Sequence, residues 1–98
     1  MKKQFNEHQV NELVLYSMND RWCYDCLQYT CKNLARKQAR GIYEEQKAFK
    51  AMYNLAVMYA KRYHRVFNMQ EKWYKLFTVA DRLEVAKHLL AYFKEEFE

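Results

Sequence analysis

An all-α fold, arranged as a compact four-helix bundle, is predicted by three features of this 98-residue chain. It holds one glycine and no proline, the residues that punctuate strands and turns, whereas a sandwich or barrel needs a turn about every 8–12 residues. Its apolar residues recur at helical spacing. Capping residues stand ahead of three of the four periodic runs.

The first helix is expected near 6–18. Asn6 is a good N-cap, Gln9 stands three residues on to complete a capping box, and Phe5 precedes the cap opposite Val10 as a hydrophobic staple. Val10, Leu13, Val14 and Ser17 share one face. Asn19-Asp20 ends this helix and caps the second, near 21–40, where Lys32, Arg36, Lys37 and Arg40 crowd the last turns and suit the negative end of the helix dipole. Gly41 takes the C-cap position.

The third helix, near 43–67, carries a broad stripe of Phe49, Met52, Tyr53, Ala56, Tyr59, Ala60, Tyr63 and Phe67. Residues 68–75 form the longest connection, with Trp73 and Tyr74 in it. Thr78, with Asp81 three residues later, caps a last helix near 79–97. There Val79, Leu83, Ala86, Leu90, Phe93 and Phe97 make a heptad-like seam. Phe49, Met52, Ala56, Tyr63, Leu83, Leu90 and Phe93 are the expected centre of one core, in a single helical domain spanning 1–98.

Composition excludes several classes. Apolar residues make up 51% and charged residues 30%, which fits neither a disordered chain nor a membrane protein. The longest apolar run, LAVMYA, is far short of the about 20 residues of a membrane span. MKKQFNEHQ has two lysines with no apolar stretch behind them, unlike a secretory signal. Three cysteines make no small disulfide framework, so a reducing, cytoplasmic setting is expected.

RWCYDC at 21–26, followed by Cys31, is the one stretch that looks like chemistry. Thioredoxin-like redox sites place Cys-x-x-Cys after a buried strand, and here the preceding segment is helical. Structural zinc wants four ligands, against one Cys-x-x-Cys, a loose Cys31 and scattered His8, His64 and His88. Cys23, Cys26, Leu27, Thr30, Cys31 and Leu34 instead fall within about 140° of one helix face, so the thiols read as reduced core residues. No nucleophile–base set, phosphate loop or carboxylate dyad is present, and neither enzyme activity, metal nor cofactor is expected.

Two surfaces could bind partners. Trp22, Tyr24 and Tyr29 point away from the cysteine face and Trp73-Tyr74 lie in the connection; such residues anchor protein interfaces. Residues 21–65 carry ten Lys/Arg against three Asp/Glu, and Lys32, Arg36, Lys37, Arg40, Lys47, Lys50, Lys61 and Arg65 form a candidate nucleic-acid surface. A helix-turn-helix is disfavoured, because the third helix is long and its polar face holds little that reads bases. With two Trp, nine Tyr and six Phe, the chain has more aromatics than one small core needs, which suggests self-association.

FNEHQVNELVLY at 5–16, KNLARKQARGIY at 32–43, AKRY at 60–63, and W-x-x-x-F at 73–77 followed by Arg82 and Val85-Ala86 order the chain in a recognisable way. In this order it resembles a family of small helical proteins of unknown function from phage and environmental genomes. The resemblance covers nearly the whole chain and consists of packing and capping patterns; the cysteine triplet lies outside it. It implies a phage accessory protein made in a bacterial cytoplasm. The expected function is therefore a non-enzymatic accessory or effector protein that binds a host or phage protein through a rigid helical surface. Nucleic-acid binding through 21–65 is the alternative, and no membrane partner is expected.

Overall fold

Five helices, not four, build the computed structural model, which describes residues 4–98: α1 (Glu7–Asn19), α2 (Arg21–Ala39), α3 (Glu45–Val66), α4 (Trp73–Leu76) and α5 (Val79–Phe97). Lys2 and Lys3, read above for the lack of an apolar stretch behind them, lie outside the described residues. The fold is a compact all-α globule, but the four-helix bundle is corrected by α4. This single turn lies inside what reads as an open connection: Lys75 N and Leu76 N donate to the Lys72 carbonyl, and Phe77 N donates to that of Trp73. Four residues are too few to show a helical period, and Lys72 supplies no side-chain cap. The turn brings Leu76 against the core and leads into fully buried Phe77.

The chain reverses by local chemistry at each end. Asp20 lies in extended backbone between α1 and α2 and accepts a hydrogen bond from Cys23 N at 3.0 Å, so one residue ends the first helix and caps the second. Gly41, at φ +74°, closes α2: its N–H donates to Gln38 O and that of Ile42 to Lys37 O, the paired bonds of a Schellman turn. Asn68, at φ +50°, closes α3 in the same way, with Asn68 N to Arg65 O and Met69 N to His64 O.

Asn6 caps α1 as expected, accepting from Gln9 N at 3.2 Å. The return bond of the capping box is not made by Gln9, whose amide reaches the Leu76 carbonyl at 3.4 Å. Asp81 makes it instead: Oδ1 accepts from Asn6 N at 2.7 Å, while Oδ2 accepts from Thr78 N at 3.0 Å in the capping box of α5. One buried carboxylate thus ties the starts of α1 and α5 together.

The face that α5 buries agrees with that tie and corrects the heptad seam. Asp81, Arg82, Val85, Ala86, Leu89, Leu90 and Phe93 are buried, whereas Val79 and Leu83 are exposed. A two-residue seam suits one neighbour. Here α5 packs against α3 and α1 and also touches α2, so a wider face is covered. Of the expected core centre, Met52, Ala56, Leu90 and Phe93 are buried, Phe49 and Tyr63 are half-buried, and Leu83 is at the surface. The molecule measures 44 × 35 × 17 Å, two helix layers thick at the usual axis spacing of about 8–10 Å. Among the described residues no helix is long and apolar enough to cross a membrane.

Candidate functional site

The outer surface of the α2–α3 pair is where exposed apolar residues gather over a hollow. Trp22, Cys26 and Tyr29 of α2 and Leu55 and Met58 of α3 line a groove of about 460 Å³, with Asp25 and Thr30 at its edge. Leu55 forms a buried floor, and Tyr29, 68% exposed, stands as one wall. Beneath the groove the buried Tyr59 hydroxyl donates to the Cys23 carbonyl at 2.6 Å, locking α3 to α2. Burial pushes the Tyr59 phenol well above its ordinary range, so it remains a donor.

The other wall is held by charge. Arg62 Nε donates to Asp20 Oδ2 at 2.9 Å and Nη2 to Oδ1 at 3.3 Å, while the Tyr16 hydroxyl donates to Oδ1 at 3.3 Å. The Arg62 guanidinium also lies over the Trp22 ring, 5.0 Å from its centroid. Asp20 therefore caps α2, and through Arg62 it fixes the indole at the groove's mouth. The Arg62 hydrogen bonds, with the Cys23 N–H adding to them against partial burial, hold the Asp20 carboxyl down from 3.8 to about 2.

Further along the same α2–α3 seam, Leu34, Lys37, Ile42, Glu44, Lys47 and Ala48 line a second hollow of about 200 Å³. Its floor is apolar, from buried Leu34 and Ala48, and its rim is basic. Lys47 pairs with Glu44 at 2.9 Å, leaving Lys37 as the rim cation with no carboxylate partner among the described residues.

The five expected contact residues divide among three places. Trp22 and Tyr29 meet in the groove. Tyr24 is on the opposite flank of α2, beside Tyr92, whose hydroxyl accepts from Gln28 at 2.7 Å. Trp73 is half-buried, with Lys61 Nζ and the Arg82 guanidinium each 4.9 Å from its ring centroid, so it is committed to holding α4 on α3 and α5. Tyr74 is exposed, packed edge-on to Trp73 at 5.7 Å. The basic set also divides. Lys37 and Lys47 rim the second hollow, Arg36 donates to Asn33 at 3.0 Å, and Lys61 covers Trp73. Lys32, Arg40, Lys50 and Arg65 are exposed, and no carboxylate pairs with them among the described residues.

All three thiols are free. Cys23 and Cys31 are buried in the core, but Cys26 is half-buried and faces the groove, which corrects its placement with the other two. Burial, aided at Cys23 by Asp20, pushes Cys23 up to about 12, and burial alone pushes Cys31 up to about 11. Cys26 is also raised, by burial and by Asp25. Thiols raised in this way are weak nucleophiles at neutral pH, the reverse of the activated cysteine of a redox site. Among the described residues no cluster of three or more His, Cys, Asp or Glu side chains is arranged to hold a metal ion.

Leu55, Met58, Ile42 and Arg62 contribute to the site without standing out in the sequence. Met58 left a trace: it interrupts the polar back of α3 between Asn54 and Lys61. Arg62 left none, because its partner is 42 residues away. Comparison with protein-family models, curated proteins and solved structures finds no match.

Proposed function

We propose that this chain is a small non-enzymatic accessory or effector protein of the phage type, acting in the cytoplasm of a bacterial host. It works by holding a host or phage protein in the α2–α3 groove. One observation carries the reading: exposed Trp22, Tyr29 and Met58 surround a buried apolar floor, and Trp22 is braced by an arginine that is itself clamped by Asp20. A braced tryptophan over an apolar floor is the form that interface hot spots take, because little of its side-chain freedom is lost on binding.

Nucleic-acid binding through residues 21–65 is the second reading, favoured by the exposed, carboxylate-free Lys32, Arg40, Lys50 and Arg65. The test compares wild type, a Trp22→Ala/Tyr29→Ala double variant and a Lys32→Gln/Arg40→Gln double variant. Each is assayed for retention of cellular proteins and, across a salt series, for binding to random DNA and RNA. A retained protein lost only in the aromatic variant supports the groove. Sub-micromolar nucleic-acid affinity, falling steeply between about 50 and 200 mM salt and lost only in the basic variant, overturns it. Light scattering of the same samples shows whether the retained protein is a second copy of the chain.

A further inference from the structure

The two hollows on the α2–α3 face lie in line. The first is built from residues 22–30 of α2 with 55–58 of α3, and the second from 34–37 of α2 with 47–48 of α3. Both helices therefore carry the line from one hollow to the next over about nine residues, or roughly 14 Å at 1.5 Å per residue. A helix laid along the seam with apolar residues at i, i+4, i+7 and i+11 spans about 16 Å, enough to seat side chains in both.

Charge changes along that line. Around the first hollow the charges stand in pairs: Asp25 lies 3.8 Å from Arg21 in an exposed i,i+4 pair, and Arg62 is bound to Asp20. Around the second, Lys37 has no carboxylate partner among the described residues, and exposed Arg36 and Arg40 stand on the same end of α2. A cationic ligand meets only the exposed Asp25–Arg21 pair at the first hollow and a net positive rim at the second, where Glu44 is taken by Lys47. Nucleic acid fits less well than a peptide, because Arg62 occupies one face of the Trp22 ring and so leaves a single face for a base to stack on.

We propose that the occupant of this face is an amphipathic helix of a partner protein whose apolar stripe fills the two hollows in turn. Acidic residues flank the end of that stripe that meets Lys37, Arg36 and Arg40. This rests on the reading of the groove as a protein-binding site and adds to it the class of partner. Apolar burial in the hollows supplies the attraction, and charge at the Lys37 end fixes which amphipathic helix is accepted.

The test uses fluorescein-labelled synthetic helices of sixteen residues. They share an apolar stripe at i, i+4, i+7 and i+11 and differ only in their polar positions, which are Glu-rich, neutral or Lys-rich. Each is titrated with the full chain by anisotropy and mapped on isotope-labelled protein by NMR. The Glu-rich helix is expected to bind at least about tenfold tighter than the neutral one, and the Lys-rich helix weakest. Shifts should follow residues 22–37 and 47–58. Lys37→Glu/Lys47→Glu should reverse the order of the helices, whereas Lys87→Glu, a charge change on α5 away from the groove, should not. Circular dichroism confirms that each variant folds.

Equal affinity for the three helices, preference for the Lys-rich one, shifts outside the seam, or no binding overturns the proposal. If a cellular protein is nevertheless retained in a Trp22- and Tyr29-dependent manner, only the class of occupant is wrong. If that retention is absent too, the groove reading falls with it.

Discussion

Replacing Asp20 should weaken the fold by an amount that depends on which of its two tasks is removed. As N-cap of α2 it accepts from Cys23 N; as an acid it holds Arg62 through two hydrogen bonds. Loss of an N-cap costs about 1 kcal/mol within a range of about 0.5–2. The depression of the Asp20 carboxyl from 3.8 to about 2 corresponds to about 2–3 kcal/mol if converted in full at about 1.4 kcal/mol per pH unit. The pair sits at the edge of solvent, with side chains 18% and 27% exposed, and water screening reduces this to about 1 kcal/mol. Asp20→Asn keeps a good cap and should lose about 1 kcal/mol; Asp20→Ala should lose about 2. For a domain of this size each kcal/mol is worth about 4–8 °C in Tm.

The pH dependence has a definite sign. The carboxyl is depressed in the folded state, so its contribution is complete above the unfolded value of 3.8 and disappears as pH falls through about 2. Urea unfolding followed by circular dichroism at pH 7, 4, 3 and 2 should show wild type and Asp20→Asn separated at pH 7 and converging between about pH 4 and 2. Arg62→Met should cost little more in the Asp20→Asn background, because the pair is already broken. Equal stability of wild type and Asp20→Asn at pH 7, or a gap that persists undiminished at pH 2, would refute the ion pair as the source.

Gly41 and Asn68 occupy the same left-handed position at two helix ends, at φ +74° and +50°. Gly41→Ala should destabilise by about 1 kcal/mol through backbone strain alone, since nothing lies within 4 Å of an added Cβ; Asn68→Gly should be neutral or stabilising by up to about 0.5 kcal/mol. Denaturation midpoints check both. Asp81→Ala removes the acceptor of the Asn6 and Thr78 N–H groups and, with both residues reached by solvent, should cost about 1–2 kcal/mol. Loss of hydrogen-exchange protection at the starts of both α1 and α5 should accompany it, and loss at α5 alone would show the tie to α1 to be inert. Iodoacetamide at pH 8 should modify Cys26 slowly and spare Cys23 and Cys31 until the protein unfolds, because only Cys26 faces the groove; mass spectrometry of peptides gives the order of labelling.

What the sequence reveals follows the range of the interaction. Asn6, Asp20 and Thr78 are legible as caps because the N–H they accept from lies only three residues away. Gly41 is legible because few other residues take its conformation. The Gln9 capping box and the α5 seam fail for a shared reason. Asp81 reaches Asn6 across 75 residues and takes the bond assigned to Gln9, and α5 packs on three other helices, so that Val79 and Leu83 face outward. The α4 turn is held by backbone bonds that leave no side-chain signature. At the candidate site, Trp22 and Tyr29 are legible as aromatics off the core face of α2, but their convergence with Leu55 and Met58 depends on how α3 lies beside α2, which no local pattern encodes.

That dependence makes Asp20 more than a stabilising residue. A helix pair held only by apolar contact can slide or rotate by small steps, and a groove between two such helices would change shape with each step. Here α2 and α3 are joined by directional bonds at two depths: Tyr59 to the Cys23 carbonyl in the core, and Arg62 to Asp20 at the surface. Both bonds end within the first turn of α2 or at its cap, next to Trp22. Among the described residues the far end of the seam has no side-chain hydrogen bond or ion pair between the two helices; it is closed by the Schellman turn at Gly41 and the chain that leads into α3. The first hollow is accordingly held by side-chain bonds between the two helices, and the second by the backbone turn that joins them. An apolar anchor benefits most from a preorganised socket, whereas an acidic side chain meeting long, exposed lysine and arginine side chains needs less exact placement. The placement of polar bonds within the α2–α3 pair thus agrees with the roles proposed for the two hollows.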